Sequence, residues 1–327
     1  MRGQAYPGVT IAPMPDDRAQ PVIAVVGSLN IDLIAYTARV PSPGETVIGD
    51  RFQMGFGGKG ANQAVMAARL GARVAMVGAL GDDVYAGMTV ENLQDQGVDA
   101  THVARVAGSS GVAPIWVEPD GSNRIIVVPG ANGAVDSEAA SAAIRSIAGV
   151  DLVIGQLEIP QGVTAAAFRA ARERGAVTIL NPAPAAPLDP ELVASAGWLI
   201  PNETEFAILA SIDRLDPDDD RAILDYASRI TPRLLVTLGS RGAALVTESA
   251  MVERVAATPV APVDTTGAGD AFVGAFAVGL AAGLHELAAV RLGIACASDS
   301  VTRTGTQSSF PSREAGSALF EGLRLGG

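Results

Sequence analysis

The chain has 327 residues, of which 48% are hydrophobic and 18% charged, enough apolar material for one large folded domain. Acidic side chains outnumber basic ones by 35 to 23, and the formal net charge of −12 disfavours a nucleic-acid partner, whose phosphates require a basic surface. A single cysteine and two histidines exclude an internal disulfide and a Cys/His metal cluster.

Residues 1–20 are rich in proline and glycine and lack the apolar stretch of a signal peptide. We expect a disordered lead-in over 1–20, followed by one domain over 21–327. The most apolar stretch, 271–284, has 14 residues, whereas a membrane span needs about 20. These features predict a cytoplasmic protein without a membrane partner.

From Pro21 onward, short β-branched runs alternate with alanine-rich helical patterns. In chain order, the pattern predicts a strand at 22–27, a helix at 58–70, a strand at 74–80, helices at 83–96 and 137–147, a strand at 152–154, a helix at 162–174, strands at 177–180 and 234–238, and helices at 267–282, 284–302 and 312–325. This alternation is typical of an α/β fold, a three-layer α/β/α sandwich with a mostly parallel central sheet.

Two further strand-like segments, 46–53 and 112–128, interrupt this rhythm, and Asp-Gly-Ser-Asn at 120–123 predicts a hairpin turn in the second. They could extend the edge of the central sheet or form a separate small sheet across the active face. We favour a β-sheet lid built from segments about 36–56 and 108–130, because appendages over the carboxyl ends of strands usually carry function.

Two common phosphate-binding motifs are absent from the glycine-rich stretches. A P-loop requires Gly-x4-Gly-Lys-Ser/Thr, but Gly60 follows Lys59, and Gln53 stands where the first glycine should be. The first strand runs into Gly-Ser-Leu-Asn at 27–30, which lacks the dinucleotide fingerprint. A nicotinamide-dependent dehydrogenase is therefore disfavoured.

The segment Asp-Thr-Thr-Gly-Ala-Gly-Asp at 264–270 opens the apolar helix. Its glycines permit close backbone approach, and the free N–H groups of a helix start suit the anionic oxygens of a phosphoryl group. Asp270 lies in the first turn, where the helix dipole should lower its pKa. A weak base suffices for phosphoryl transfer to an alcohol. A plain helix cap is the alternative, which the length of the motif disfavours.

Lysine occurs once among the 23 basic residues, as Lys59 within Gly-Gly-Lys-Gly-Ala-Asn-Gln at 57–63. A bias toward arginine explains the general depletion of lysine. It does not explain the position of the exception, and a compact ammonium is not interchangeable with a planar guanidinium in a tight site.

Residues 22–315 resemble the ribokinase-like (phosphofructokinase-B) family of carbohydrate kinases. The resemblance rests on motifs that follow one another at the family's spacing: Gly-Ser-Leu-Asn-Ile-Asp at 27–32, Pro-Gly-Glu-Thr-Val at 43–47, the 57–63 stretch, Gly-Asp-Asp at 81–83, Gln-Leu-Glu at 156–158, Asn-Pro-Ala-Pro-Ala at 181–185, Asn-Glu-Thr-Glu at 202–205, Thr-Leu-Gly-Ser-Arg-Gly at 237–242, 264–270, and Thr-Arg-x-Gly at 302–305. It implies that 21–327 is an ATP-dependent kinase domain that phosphorylates the 5-hydroxyl of D-ribose to give ribose 5-phosphate.

The resemblance also implies the site residues. The sugar would be bound by Asn30, Asp32, Gly58, Lys59, Asn62 and Glu158. Asp270 would be the base and Gly267, Ala268 and Gly269 the anion hole, while Asn202, Thr237, Gly239 and Gly242 would border ATP. Glu205 with Asn202 would hold Mg²⁺, and a K⁺ site would comprise Asp264, Thr266, Ser300, Arg303, Gly305 and Ser309.

By the same resemblance, the lid strands of two subunits would pair in a homodimer. The alternatives are a kinase of the same family for deoxyribose, another sugar or a nucleoside and, from a different class, a catalytically silent sugar-binding regulator. Asp270, the anion-hole glycines and the Asn202/Glu205 pair disfavour the regulator, since a pure binder has no use for them together.

Overall fold

The computed structural model describes residues 20–120, 122–216, 218–230, 232–247 and 250–325. The predicted lead-in over 1–20 therefore lies outside the described residues, except for Gln20. The strands are β1 (Val22–Val26), β2 (Asn30–Tyr36), β3 (Arg51–Gly57), β4 (Arg73–Leu80), β5 (Val98–Arg105), β6 (Gly111–Val117), β7 (Asn123–Ile125), β8 (Leu152–Gly155), β9 (Val177–Leu180), β10 (Trp198–Leu199), β11 (Arg233–Thr237), β12 (Ala243–Val246) and β13 (Val252–Val255).

The helices are α1 (Lys59–Arg69), α2 (Val84–Asp95), α3 (Ser137–Ser146), α4 (Gln161–Glu173), α5 (Pro190–Ser195), α6 (Glu203–Ala210), α7 (Asp220–Ala227), α8 (Ala268–Ala281), α9 (Glu286–Ser300) and α10 (Arg313–Leu325). Each strand or helix predicted outside the lid is present, and its ends differ from the prediction by two residues or fewer. Continuous apolar runs and alanine-rich 3.6-residue periods gave these elements a clear signal.

Nine strands form the central sheet in the order β13-β12-β11-β10-β9-β8-β1-β4-β5. Every pair from β11 to β5 is parallel, and only the β11-β12 and β12-β13 pairs are antiparallel. All five residues of β1 are buried, and they alternate between two cores: Ile23 and Val25 face one, Ala24 and Val26 the other. Helices α1, α8 and α9 cover the first core and α3 and α4 the second. The three-layer α/β/α prediction is confirmed.

A separate four-stranded sheet has the order β3-β2-β6-β7, which confirms the predicted small sheet. Its details differ from the prediction. The segment expected as a strand at 46–53 is a strand only from Arg51, and β2 was not predicted. Its polar side chains at Asn30 and Asp32 alternate with Ile31 and Leu33 along one strand.

The predicted hairpin at 112–128 is formed by β6 and β7, and the Glu118 N–H donates to the Ser122 carbonyl across the turn at 2.9 Å. Gly121 of that turn lies outside the described residues. Sequence patterns also missed β5, β10, β12, β13 and the short helices α5–α7. The edge strand β5 reads Val-Asp-Ala-Thr-His-Val-Ala-Arg, too polar for an apolar-run criterion. No helix within the described ranges is both long and apolar enough to span a bilayer.

Candidate active site

The predicted site residues converge at the carboxyl ends of the central strands, where ligands bind in open α/β sheets. Glu158 follows β8, and Asn202 follows β10 and forms a bridge with Thr237 at the end of β11. Two helix starts face the same edge: Lys59 begins α1, and Asp270 lies in the first turn of α8.

Asp270 is buried, and each of its carboxylate oxygens accepts a side-chain amide. Asn62 Nδ2 donates to Oδ2 and Gln63 Nε2 to Oδ1, both at 2.9 Å. Burial raises the pKa of the Asp270 carboxyl above its usual range, although Lys59 and the two amides oppose the rise. The prediction of a lowered pKa is therefore wrong, because loss of water outweighs the helix start. Two fixed donors leave the group oriented as a proton acceptor.

Lys59 is partly buried, with its ammonium in the field of three carboxylates. Burial alone would lower the pKa of Lys59, but Asp270, Glu158 and Glu205 together raise it. The one lysine of the chain therefore stays charged and offsets the acidic groups around it. A strongly acidic protein thus presents a fixed positive charge where an anionic phosphoryl group would approach.

Asp32 lies on β2, in the lid sheet, and faces the same acidic cluster. Burial, reinforced by the nearby carboxylates of Glu158 and Asp270, raises the pKa of Asp32 to about 7. Glu158 is held in place by two donors at Oε2, the Ser28 hydroxyl at 2.5 Å and the Lys59 backbone N–H at 3.0 Å. The two carboxylates offer paired acceptors of the kind that neighbouring sugar hydroxyls require.

Asn30 is oriented by Asn132, a residue that sequence reasoning missed. Asn132 Nδ2 donates to Asn30 Oδ1 at 2.8 Å and to the Leu29 carbonyl at 3.1 Å, and its Oδ1 accepts the Leu29 N–H at 2.9 Å. Gly58, the N-cap of α1, packs against this turn: a Cβ there would stand 2.8 Å from the Asn30 nitrogen. The five residues predicted to bind the sugar, apart from Asn62, thus line the junction of β2, α1 and the loop after β8.

Asn62 differs from those five, because its amide is already engaged. Its Nδ2 bonds Asp270, and its Oδ1 accepts Gln307 Nε2 at 3.1 Å. Gln307 in turn accepts Asn92 Nδ2 at 3.0 Å. Asn62 and Gln63 are adjacent polar residues on the otherwise apolar buried face of α1. This polar pair is the sequence signal that indicates a buried hydrogen-bonding network here.

The first turn of α8 holds the predicted anion hole. Gly267 adopts φ 77°, a left-handed conformation that favours glycine, and a Cβ there would stand 2.7 Å from Thr306 Cγ2. A Cβ on Gly269 would meet nothing within 4 Å, so open space adjoins that backbone. The Ala268 N–H donates to the Thr265 carbonyl at 3.2 Å. Gly267 and Gly269 are therefore the better-placed donors for an anion.

Glu205 and Asn202 form a capping box at the start of α6. Asn202 Oδ1 accepts the Glu205 N–H and Glu205 Oε2 accepts the Asn202 N–H, each at 2.8 Å. Burial raises the pKa of Glu205, while the Asn202 N–H and Lys59 oppose the rise. In the described ranges, Glu205 Oε1 accepts no hydrogen bond, and no three His, Cys, Asp or Glu side chains converge as a ready metal site. One free carboxylate oxygen fits a Mg²⁺ that keeps most of its water and phosphate ligands.

The predicted nucleotide border lies at the end of β11. A Cβ on Gly239 would meet nothing within 4 Å, whereas one on Gly242 would stand 1.9 Å from the Val255 carbonyl. Gly239 therefore faces open space, and Gly242 is required by the packing of β13. The Thr237 hydroxyl lies 3.5 Å from the Pro201 carbonyl.

The residues predicted for K⁺ form one loop cluster beside α8. Asp264 Oδ1 accepts the Thr266 N–H and hydroxyl at 2.9 and 2.7 Å, and Oδ2 accepts the Gly305 N–H at 2.9 Å. Burial alone would raise the pKa of Asp264, but these donors together lower it. Arg303 donates twice to the Ser309 carbonyl, at 3.0 and 2.8 Å.

The Ser300 hydroxyl donates to the Ala297 carbonyl at 2.8 Å, and the Ser300 carbonyl accepts the Arg303 N–H at 3.2 Å. Two guanidinium nitrogens already donate to the Ser309 carbonyl, and Arg303 pairs with the Asp299 carboxylate, so the Asp264 carboxylate is the negative charge that a cation there could use. The cluster could offer a cation the Asp264 carboxylate and backbone carbonyls, whereas the Ser309 carbonyl is already hydrogen-bonded to Arg303.

Comparison with known proteins gives a consistent result. The pfkB family carbohydrate kinase profile matches residues 20–313. A ribokinase from Bacillus subtilis is 41% identical over 292 residues, which cover 89% of this chain and 96% of the relative. A deoxyribokinase from Salmonella typhi is 40% identical over 295 residues, with the same coverage of both chains.

A solved structure of Arabidopsis thaliana ribokinase complexed with ribose and ATP superposes with a TM-score of 0.84 at 33% identity. The superposition covers 93% of this chain and 99% of the plant enzyme. The similarity therefore spans both the central sheet and the lid sheet.

Proposed function

The chain belongs to the pfkB family of carbohydrate kinases, and from that premise we propose that it transfers the γ-phosphoryl group of ATP to the 5-hydroxyl of D-ribose. The products are ribose 5-phosphate and ADP. One observation carries the chemistry: Asp270 is a buried carboxylate fixed by two amide donors, beside the charged Lys59 and the open backbone of Gly269.

The sugar binds where the lid sheet meets the first helix. Asn30, Asp32 and Glu158 supply amide and carboxylate groups that pair with the ring hydroxyls, and Ser28 and Asn132 hold two of these groups in place. A site whose buried polar groups are satisfied only by hydroxyls rejects an analogue that lacks one.

The reaction needs one proton acceptor and a place for negative charge. The 5-hydroxyl oxygen forms the new bond to the γ-phosphorus, the bond from that phosphorus to the β–γ bridging oxygen breaks, and the hydroxyl proton passes to the Asp270 carboxylate. The N–H groups of Gly267 and Gly269 and the Lys59 ammonium stabilise the charge on the transferring group. Burial raises the pKa of Asp270, which makes it a better acceptor than a surface aspartate.

Two cations complete the proposal. Mg²⁺, when bound with ATP, neutralises the phosphate oxygens; Glu205 Oε1 is the group that would hold it, with Asn202 fixing Glu205 through the capping box. The Asp264 cluster would hold K⁺. Asn202, Thr237, Gly239 and Gly242 border ATP, and the open space at Gly239 favours this placement.

Deoxyribose is the second candidate acceptor, since the Salmonella typhi deoxyribokinase is about as similar as the ribokinases. The deciding experiment measures ADP release with ribose, 2-deoxyribose, fructose, adenosine and no sugar, with Mg²⁺ and K⁺ present. We expect ribose to dominate. If ADP release is greatest with 2-deoxyribose, deoxyribose is the substrate. If no acceptor gives ADP release although ribose binds, the result supports a sugar-binding regulator.

The homodimer is proposed on the lid sheet. Phe52 on the edge strand β3 is 66% exposed and Ile48 before it 88%, two apolar side chains open to solvent on an otherwise acidic protein. Pairing of two lids would cover them. Light scattering of the wild type and of Phe52→Lys tests this, with a monomer expected for the variant. The cytoplasmic location stays a prediction.

A further inference from the structure

Gln63 has no part in the sugar or nucleotide contacts proposed above, yet it is fully buried and makes three hydrogen bonds. Its Nε2 donates to Asp270 Oδ1 at 2.9 Å and to Asn181 Oδ1 at 3.1 Å, and its Oε1 accepts Gln156 Nε2 at 2.7 Å. Both protons of the amide nitrogen are therefore used, one of them on the carboxylate proposed as the base.

The direction of these bonds is set from outside the site. The Ile200 carbonyl can only accept, so Asn181 must turn its Nδ2 toward it, at 2.9 Å. Asn181 Oδ1 then faces Gln63 and requires a donor. Gln63 must present its NH₂ group to both Asn181 and Asp270, and it cannot rotate to present its oxygen.

Gln156 indicates that this orientation is maintained at a cost. By donating to Gln63, it leaves its own Oε1 buried and without a hydrogen-bond partner among the described residues. That oxygen packs against Gly27, where a Cβ would stand 2.0 Å from it. An unpaired buried acceptor is unfavourable, so its presence indicates that the hydrogen bonds from Gln156 to Gln63 and from Gln63 to Asp270 are required in this direction.

We propose that Gln63 is a positioning residue for Asp270. The backbone of Ile200 fixes Asn181, Asn181 and Gln156 fix Gln63, and Gln63 can then only donate to Asp270 Oδ1. A donor that cannot become an acceptor favours the ionised carboxylate and fixes its plane relative to the hydroxyl. The inference rests on the proposed function, because it assigns Gln63 to the group that takes the proton.

Gln63→Met is the test, since methionine keeps the length of glutamine and removes both hydrogen-bonding groups. We expect kcat to fall by about 10- to 100-fold, the value of one charge-assisted hydrogen bond, while the KM for ribose changes less than about threefold. The acid limb of the kcat profile should move to higher pH, because the Gln63 amide lowers the pKa of Asp270. A role in packing alone would not move that limb.

The matched control is Thr164→Val, on α4 away from the site. Thr164 is also fully buried, and its hydroxyl has no partner in the described part of the chain, so valine removes a buried polar group without breaking a hydrogen bond. Its kinetics should equal those of the wild type. If Gln63→Met also equals the wild type in kcat and pH profile, or raises the KM for ribose as much as it lowers kcat, the proposal is overturned.

Gln63→Glu gives an independent result should the methionine variant not fold. It keeps the shape of the side chain and replaces the donor by a carboxyl that must share a proton with Asp270, so the acid limb should move further than in Gln63→Met. A wild-type profile in this variant would equally overturn the proposal.

A readout without turnover separates this inference from the proposed function. In protein with ¹³C-labelled aspartate, the Asp270 carboxyl resonance is assigned by its absence from Asp270→Asn, and its titration is compared between wild type and Gln63→Met. A higher pKa in the variant supports the inference even if no sugar is phosphorylated, and an unchanged pKa contradicts it even if ribose is the substrate.

Discussion

The Asp32 carboxylate lies directly against the backbone of Gly57, and a Cβ at position 57 would stand 2.5 Å from both of its oxygens. Asp32 is on β2 and Gly57 at the end of β3, so the lid sheet and the start of α1 together fix where this carboxylate points. Because position 57 has no side chain, the buried Asp32 carboxylate has room to take the place proposed for it in the sugar site.

Gly57→Ala should therefore weaken sugar binding with little effect on the chemical step. The methyl group displaces the Asp32 carboxylate and breaks its bonds to the sugar hydroxyls, so we expect the KM for ribose to rise roughly 10- to 100-fold. Gly162→Ala on α4 is the control, because a Cβ there meets nothing within 4 Å. An unchanged KM in Gly57→Ala would place the sugar elsewhere.

Sugar affinity should depend on pH through Asp32, whose pKa is about 7 in the free protein. Sugar hydroxyls donate to the ionised carboxylate, whereas below pH 7 the free protein holds a proton that must leave on binding. The Kd for ribose, measured by calorimetry without nucleotide, should rise by up to about tenfold per pH unit as the pH falls below 7. In Asp32→Asn this dependence should disappear; if it persists there, another group is responsible.

Asp270→Asn should preserve the fold and ribose binding but lower turnover by roughly 10² to 10⁴, the usual range for a positioned proton acceptor. Asparagine keeps the shape of the side chain, but its NH₂ group cannot accept, so one of the two hydrogen bonds from Asn62 and Gln63 is lost, and it cannot take the hydroxyl proton. Single-turnover ADP formation measures the loss. Activity within a few-fold of the wild type would remove Asp270 from the mechanism.

The position of Asp270 could be predicted from the sequence, whereas its hydrogen bond with Gln63 could not. The 264–270 motif predicts the helix start and the base, because glycines and an acid at a helix N-terminus have a local meaning. The partners of Asp270 are distant in sequence, 207 and 208 residues away, and only folding brings them together. The predicted lowering of the Asp270 pKa was wrong for the same reason, since burial, which raises this pKa, is a property of the tertiary structure.

The lid shows a similar limit. Its existence could be predicted from strand-like segments outside the α/β alternation, but β2 was missed because it lacks the continuous apolar run of the central strands. The alternation of Asn30 and Asp32 with apolar residues is a weaker strand signal than such a run.

Replacing sodium by potassium should raise kcat, and Asp264→Ala should abolish the difference. Asp264 carries the charge that a monovalent cation needs, and its pKa is lowered, so it is ionised at neutral pH. The measurement is ADP release in matched KCl and NaCl. Since the same carboxylate bonds Thr266 and Gly305, circular dichroism of the variant is the control for folding. Equal rates in both salts for the wild type would contradict the predicted site.

Lys59→Arg should lower kcat/KM by roughly 10²- to 10³-fold, although the charge is kept. The ammonium lies partly buried among Asp270, Glu158 and Glu205, and a planar guanidinium is larger and directs its hydrogen bonds differently. Arg169→Lys, at an exposed pair with Glu191, is the control for exchanging the two cations and should leave the rate unchanged.

Lys59→Met separates shape from charge at the same position. Without the ammonium, nothing there offsets the carboxylates, so the pKa of Asp270 and that of Glu205 should both rise, because Lys59 lowers each of them. The acid limb of the kcat profile should then move to higher pH in Lys59→Met and stay in place in Lys59→Arg. If both variants shift it equally, the position acts through packing, and the positive charge of the only lysine has no part in keeping the base ionised.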